Sequence, residues 1–370
     1  MEFSVSKSDL VRELGLTQGV VERKTTIPIL SNILVETGKD QVWLTATDLE
    51  LGIRCACPAR VKKEGAGTIP ARRLLDYVRL LPDSEVQVKL GDNQWASLVC
   101  GRSRTRIAGM SRESFPELPE MPEVLAEIPL STLSQMIAST IFAISAEESR
   151  FTLNGALLIL NPQGLVMVAT DGHRLAMAER AVPLPGLETP FRALLPKKAM
   201  TEIQKLASDD ATKVIEFSGN ENHLFFRIDK RLLLSRKLTG NFPDFERVLP
   251  KEHPHQVIIQ RDEFKAAIER VAQFSDERSH SIRIEMLPGE LRIHSATPDT
   301  GESEETIPVE YAGPNLQIGY NAVYLLDFLR TAGQEAIEFH FKDLNSAGEL
   351  RPHGAPEGSI NRYVVMPMRI

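Results

Sequence analysis

Cysteine is scarce in this chain: there are three in 370 residues, Cys55, Cys57 and Cys100. So few cannot build a disulfide framework, and they point to a reducing, cytoplasmic compartment. Cys55-Ala-Cys57 has no second Cys or His pair at zinc-ligand spacing, so no metal site is expected. The reading places these two thiols on opposite faces of a strand, partly buried and sharing no site. No apolar run approaches the roughly 20 residues that span a bilayer. The opening Met-Glu-Phe-Ser-Val lacks a charged-then-apolar signal pattern, so no membrane association is expected. Aromatics make up only 6% of the chain and do not interleave with basic residues, which disfavours stacking on single-stranded bases.

Catalytic and cofactor motifs are missing too. There is no G-x-x-x-x-G-K-[ST], no G-x-G-x-x-G after a strand, no G-x-S-x-G and no H-E-x-x-H. No cofactor is expected. The strongest catalytic candidate is Asp171-Gly172-His173, where an aspartate could orient an imidazole for base chemistry. No Ser or Cys stands in a nucleophile turn nearby, so a glycine-containing turn is the better reading. His253 and His255 fall in the Pro-rich stretch KEHPHQ, which reads as a linker.

What the chain does have is the mix of a globular protein, 42% apolar and 25% charged. Lys and Arg total 43 against 50 Asp and Glu, a net charge of −7. This excludes a uniformly basic coat for nucleic acid but leaves room for a local basic surface.

The chain also repeats itself. An alternating strand followed by an amphipathic helix opens three segments: Phe3-Ser4-Val5 into SKSDLVREL, Glu127-Ile128-Pro129-Leu130 into STLSQMIAST, and Val257-Ile258-Ile259 into QRDEFKAAIERV. Ser6 and Ser131 are placed to cap the first two helices. VWLTATDLEL (42–51) matches LVMVATDGHRLAM (165–177), with a divergent third copy in LRIHSATPDT (291–300). A second helix follows each: 69–81, 194–206 and 318–330. Phe115-Pro116 and Phe242-Pro243 close the first two copies. Three repeats of about 123 residues result, with limits in the Pro-rich stretches 115–124 and 249–255. The predicted domains are 1–124, 125–250 and 251–370. The fold class is α+β, each repeat carrying antiparallel sheets and two helices on one side.

The second helices have one apolar and one basic face. Ala71, Leu74, Leu75, Val78 and Leu81 oppose Arg72, Arg73, Asp76 and Arg79. Met200, Ile203 and Leu206 oppose Lys197, Lys198, Thr201 and Lys205. A basic face recurring in a net-acidic chain suits contact with duplex phosphates without sequence readout. Arg102, Arg104 and Arg106 share one strand face by the period of two, and Asp299, Glu302, Glu304 and Glu305 form an acidic run in the last repeat. Opposite fields at the two ends suit a head-to-tail interface. The apolar end, Tyr363-Val364-Val365-Met366-Pro367-Met368-Arg369-Ile370, reads as an edge strand and as the wall of an adaptable peptide groove.

Eight motifs in order carry a resemblance over the whole chain: TIPILSN (26–32), LTATDLEL (44–51), TIPARRLLD (68–76), GRSR (101–104), LNG (153–155), ATDGHRLA (169–176), NFPDFERVLP (241–250) and YVVMPMRI (363–370). Together they resemble the bacterial DNA polymerase III beta subunit family, the sliding clamps. The resemblance implies a head-to-tail homodimer closed around double-stranded DNA, with helices inside and sheets outside. It implies a non-enzymatic processivity factor, opened by a separate ATP-driven clamp loader. It also implies a cleft that takes Leu- and Phe-bearing peptides of the DNA polymerase III catalytic subunit, other polymerases and repair proteins.

The implied cleft residues are Leu153, Thr170, Gly172, His173, Arg174 and Leu175, then Pro243, Arg247, Val248, Asn321 and Tyr324. Val364, Val365, Met366, Pro367, Met368 and Arg369 complete the set. The implied DNA contacts are Arg23, Lys24, Arg73, Phe151, Thr152 and Lys198. The implied dimer interface sets Arg102 and Arg104 against Glu302, Glu304 and Glu305, with Gln273 and Phe274 as its apolar part. Phe151-Thr152 stand where better-known members carry two tyrosines, Ser279 where an aromatic often rims the cleft, and Gln273 in place of an aliphatic residue.

Overall fold

The computed structural model describes residues 1–22, 26–91, 93–207, 212–298 and 301–369. Arg23, Lys24, Asp299 and Ile370 therefore lie outside the described residues. Six α-helices occur among them: α1 Lys7–Thr17, α2 Ala71–Leu80, α3 Leu130–Ala138, α4 Lys197–Ala207, α5 Arg261–Val271 and α6 Ala322–Thr331. The expected strand-then-helix opening and the second helix are present in each repeat, and the ladders are antiparallel. The mixed α+β class is the observed one.

Two compact units form. The first holds Met1–Ser131 and Lys198–Lys237, and the second Thr132–Lys197 and Leu238–Ile370. Within the first, a twelve-stranded sheet runs from the edge strand Ser103–Ala108 through Glu2–Ser6 and Leu51–Lys63 to Arg231–Arg236 and the far edge Ala126–Pro129. Within the second, an eight-stranded sheet has Arg174–Arg180 paired to Ser359–Val365. A four-stranded sheet ends at the edge strand Gly301–Pro308. The compact units thus do not coincide with the three repeats. Leu51–Lys63 pairs with Arg231–Arg236 from the second repeat, and Arg174–Arg180 pairs with Ser359–Val365 from the third.

The repeat is visible in its turns. Thr47 Oγ1 accepts from Leu49 N and donates to Leu51 O, both at 2.9 Å, while Asp48 Oδ1 accepts from Glu50 N and Leu51 N. Thr170 and Asp171 do the same one repeat later: Thr170 Oγ1 accepts from Gly172 N and donates to Arg174 O, and Asp171 Oδ1 accepts from His173 N and Arg174 N. Both turns require a left-handed residue. Gly172 supplies it at φ 91°, and Leu49 adopts it at φ 77° despite its Cβ.

Helix packing follows the apolar stripes. Ala71, Leu74, Leu75 and Val78 of α2 are buried and its Arg72, Arg73, Asp76 and Arg79 exposed. On α4, Ala199, Met200, Ile203 and Leu206 are buried. Capping differs from expectation. The Ser6 hydroxyl meets Ser8 Oγ at 2.7 Å rather than the helix backbone, and Ser131 lies inside α3.

The two thiols also differ. Residues two apart on a strand share a face, so Cys55 and Cys57 point the same way and both are fully buried. Burial pushes both thiols up, Cys57 to about 12. Beside them the buried Glu13 carboxylate is held by Arg231 at 2.7 and 2.9 Å. The linker reading of 253–255 is corrected as well. His253 is buried against Glu349, and His255 opens the strand His255–Gln260.

No helix among the described residues is long and apolar enough to cross a membrane. Among the same residues no group of three His, Cys, Asp or Glu side chains could hold a metal ion.

Candidate binding cleft and charged surfaces

The second unit carries an apolar cleft lined in part by Leu153, Thr170, Leu175, Pro243, Val248, Val364 and Met366. Its floor follows from register: Leu175 pairs with Val364, so both side chains leave the sheet on one face. They sit in a buried cluster with Leu157, Val168, Leu194 and Phe245. Its rim is apolar yet exposed, with Val248 at 43% and Met366 at 44% of full exposure. The chain end is tied down by Met366 N donating to His173 O at 2.9 Å and Met368 N donating to Gly319 O at 2.8 Å. It is a docked segment rather than a frayed tail.

Arg174 holds the base. Its guanidinium donates to Asp171, Asp327 and the Phe142 carbonyl at 3.1, 2.7 and 2.6 Å. It also lies over the Tyr324 ring. Because Asp171 turns one oxygen onto backbone N–H groups and the other onto Arg174, it does not orient the His173 imidazole. The Asp-Gly-His trio is a turn.

Of the residues assigned to the cleft from sequence, Leu153, Thr170, Gly172, His173, Arg174, Leu175, Pro243, Val248, Val364 and Met366 line it. The others do not line it. Asn321 caps α6 through bonds from Val323 N and Tyr324 N. Tyr324 lies under Arg174, and the exposed Arg247 pairs with Asp244. Val365 is buried, and between Pro367 and Arg369 the chain is held by Met368, which bridges to Gly319. Phe245 lines the cleft and was missed. Its signal was the second Phe of NFPDF, at helical spacing from Phe242.

Matches to known families decide what this cleft belongs to. The description "DNA polymerase III beta subunit" matches in three parts: N-terminal domain at residues 1–119, central domain at 127–244 and C-terminal domain at 246–369. The chain belongs to the DNA polymerase III beta subunit family. Among its relatives, the beta sliding clamp of Pseudomonas putida is 35% identical, covering all of both chains. That of Chlamydia muridarum is 32% identical over all of this chain and 99% of its own. Among solved structures, a Pseudomonas aeruginosa DnaN sliding clamp bound to griselimycin superposes with a TM-score of 0.95 at 34% identity, over all of both chains. The Bacillus subtilis sliding clamp gives 0.94 at 25% identity, over all of this chain and 99% of that one.

Against that family background, the charged surfaces are unequal. Arg73 is exposed on α2. Lys198 is exposed on α4, but its ammonium is held by the nearly buried Asp48 carboxylate. Lys205 is likewise held by Glu202 at 2.6 Å, a buried carboxylate against Gly19. Phe151 is 71% exposed at the head of the short 3-10 turn Phe151–Leu153, followed by the half-buried Thr152.

Arg102 lies in the turn before the edge strand Ser103–Ala108. Arg104 and Arg106 share its exposed face, and Arg106 stacks over Trp95 at 5.0 Å. On the edge strand Gly301–Pro308, Glu302 and Glu304 are exposed together. Glu305 faces the other way and forms a two-bond pair with Arg270 at 2.7 and 2.8 Å. Phe274 is half-buried, packed near Gly301, and Gln273 is exposed, donating to Glu269 O.

Proposed function

We propose that the chain is a DNA sliding clamp: a non-enzymatic processivity factor that tethers DNA polymerase III and other DNA-processing proteins to duplex DNA. The observation that carries the reading is the cleft itself. An apolar floor built from paired Leu175 and Val364, with exposed Val248 and Met366 above it, suits a short peptide with apolar anchors and offers no catalytic set. Three domains at 1–124, 125–250 and 251–370 would each contribute two helices to the inner side of a ring. Two chains would close the ring head to tail, the arginine-bearing edge strand of one meeting the glutamate-bearing edge strand of the other. A clamp loader would open it. Contact with DNA would be through phosphates and without sequence preference.

Processivity in this reading is effective concentration. A polymerase held by its peptide to a trapped ring rebinds the primer end before it diffuses away. Each Leu or Phe anchor buried in the cleft contributes roughly 1.5–3 kcal/mol. Two anchors, less the cost of ordering the peptide, give an affinity on the order of micromolar.

Deleting Met366 through Ile370 tests this. Fluorescence anisotropy with a Leu- and Phe-containing peptide should show binding lost, while solution mass and retention on circular DNA stay those of the parent. Unchanged peptide affinity in the folded truncation removes the cleft assignment.

A further inference from the structure

One buried charge cluster has no part in the cleft lining. Glu349 is fully buried on the eight-stranded sheet. Arg362 donates to it at 2.5 and 2.8 Å, Arg351 at 2.7 Å and His253 Nε2 at 2.9 Å. Next to it, His340 lies 5.4 Å from His253, ring centre to ring centre, and shares the Glu338 carboxylate with His353.

As a source of stability such a cluster is a poor choice. Well-packed apolar groups of the same volume are often as good or better. His253 Nδ1 is moreover buried with no hydrogen-bond partner among the described residues, a cost that a space-filling leucine would avoid.

What the cluster does is join two segments. Arg362 also donates to the Pro250 carbonyl at 3.0 Å. Pro250 and His253 end the connector whose earlier residues Pro243, Phe245 and Val248 form one wall of the cleft. Arg362 stands two residues before Val364, on the strand that lays the cleft floor and leads into the other wall at Met366. One guanidinium therefore ties the end of the connector to that strand, and the Glu349 carboxylate fixes that guanidinium and the connector's histidine together.

We propose that Glu349, Arg362 and His253 are positioning residues that hold the two walls of the cleft at the spacing a ligand needs, without touching the ligand. The proposal rests on the cleft's being a peptide site.

The test uses the full chain with a nitroxide on Glu246→Cys, an exposed connector position. Labelling there is selective because Cys55, Cys57 and Cys100 are buried. His253→Leu should raise label mobility and weaken a Leu- and Phe-containing peptide about tenfold, mainly through faster release. His253→Gln, whose amide nitrogen can take the place of Nε2, should restore both to within about twofold of the parent. Arg362→Lys keeps a positive charge beside Glu349 but gives up the planar fork. It should reproduce the His253→Leu result, and it serves as the test where His253→Leu does not fold. Parental mobility and affinity in His253→Leu or folded Arg362→Lys overturn the proposal, as does an affinity loss that His253→Gln fails to restore. If the parent binds no peptide, the peptide reading fails instead, and label mobility alone decides whether the cluster pins the connector.

Discussion

The Arg174 guanidinium lies 4.3 Å from the centre of the Tyr324 ring, while its three nitrogens are spent on Asp171, Asp327 and the Phe142 carbonyl. Arg174→Lys should therefore behave as a severe change. Lysine keeps the charge but cannot reproduce the planar fork or the stacking. Removing one partner from a buried charge network costs about 3–5 kcal/mol, so a loss near 2 kcal/mol is expected for the lysine variant and more for Arg174→Leu. Urea midpoints at constant slope measure it. A loss below 0.5 kcal/mol would mean that the guanidinium is not the keystone of the cleft base.

The two charged edge strands predict a salt-sensitive dimer. Arg104→Glu should weaken self-association, and Glu304→Arg in the same chain should partly restore it. Exposed pairs contribute about 0–1 kcal/mol each, so the shift for one pair is at most about fivefold. Because Glu305 is occupied by Arg270, Glu305→Arg should do less than Glu304→Arg. Sedimentation at two ionic strengths is the measurement. An equilibrium indifferent to reversal and to salt would place the interface elsewhere.

On duplex DNA, Arg73 and Lys198 should not be equivalent. Each phosphate contact contributes about 0.9 to the slope of log affinity against log salt. Arg73→Ala should lower the slope by close to that amount. Lys198→Ala should lower it by less, because Asp48 already neutralises that ammonium. Equal losses for both variants would show that the Asp48 pair opens on DNA.

Acid should loosen the second unit in two steps. His340 is lowered mainly by burial, so its neutral form is the native one. The stability this contributes is present above pH about 6.5 and falls away as the ring must take a proton. Burial alone would raise Glu349, but the bonds from Arg362, Arg351 and His253 outweigh it and hold the carboxyl at about 2. Its contribution, roughly 3 kcal/mol, is complete above pH about 4.5 and is lost as pH falls toward 2. Glu338 is shifted in the same direction: the bonds from His353 and His340 outweigh its burial. Thermal unfolding followed between pH 7 and 3 should fall monotonically, and in Glu349→Gln the fall below pH 4.5 should flatten.

Local rules made much of this legible. The Thr-Asp turns and the stripes of α2 and α4 depend on neighbours a few residues apart, so spacing alone reveals them, whereas the cleft floor pairs Leu175 with the distant Val364 and is reached only through the family resemblance. What sequence could not reveal depends on partners far along the chain. Nothing near Lys198 announces Asp48, and nothing near His253 announces Glu349. KEHPHQ therefore reads as a linker although it ends in a buried histidine and a strand. The cysteines are a different case, since the period of two already places Cys55 and Cys57 on one face. Arg23 and Lys24, which the resemblance implies as DNA contacts, fall outside the described residues.

The strand Ser359–Val365 is the last of the chain, yet it lies in the interior of its eight-stranded sheet, between Arg174–Arg180 and Gly348–Pro352. Its partner Arg174 is made long before Val365. During synthesis, Arg174–Arg180 must therefore wait as an unpaired edge while about half of the 370 residues are still to be translated. Unpaired edges recruit other strands, and late, long-range pairing is slow. The first unit has no such delay, because its last strand, Arg231–Arg236, is complete well before the chain is. The order of manufacture thus runs from one unit to the other, and the cleft, which takes Val364 from this late strand, cannot assemble until the strand has been made.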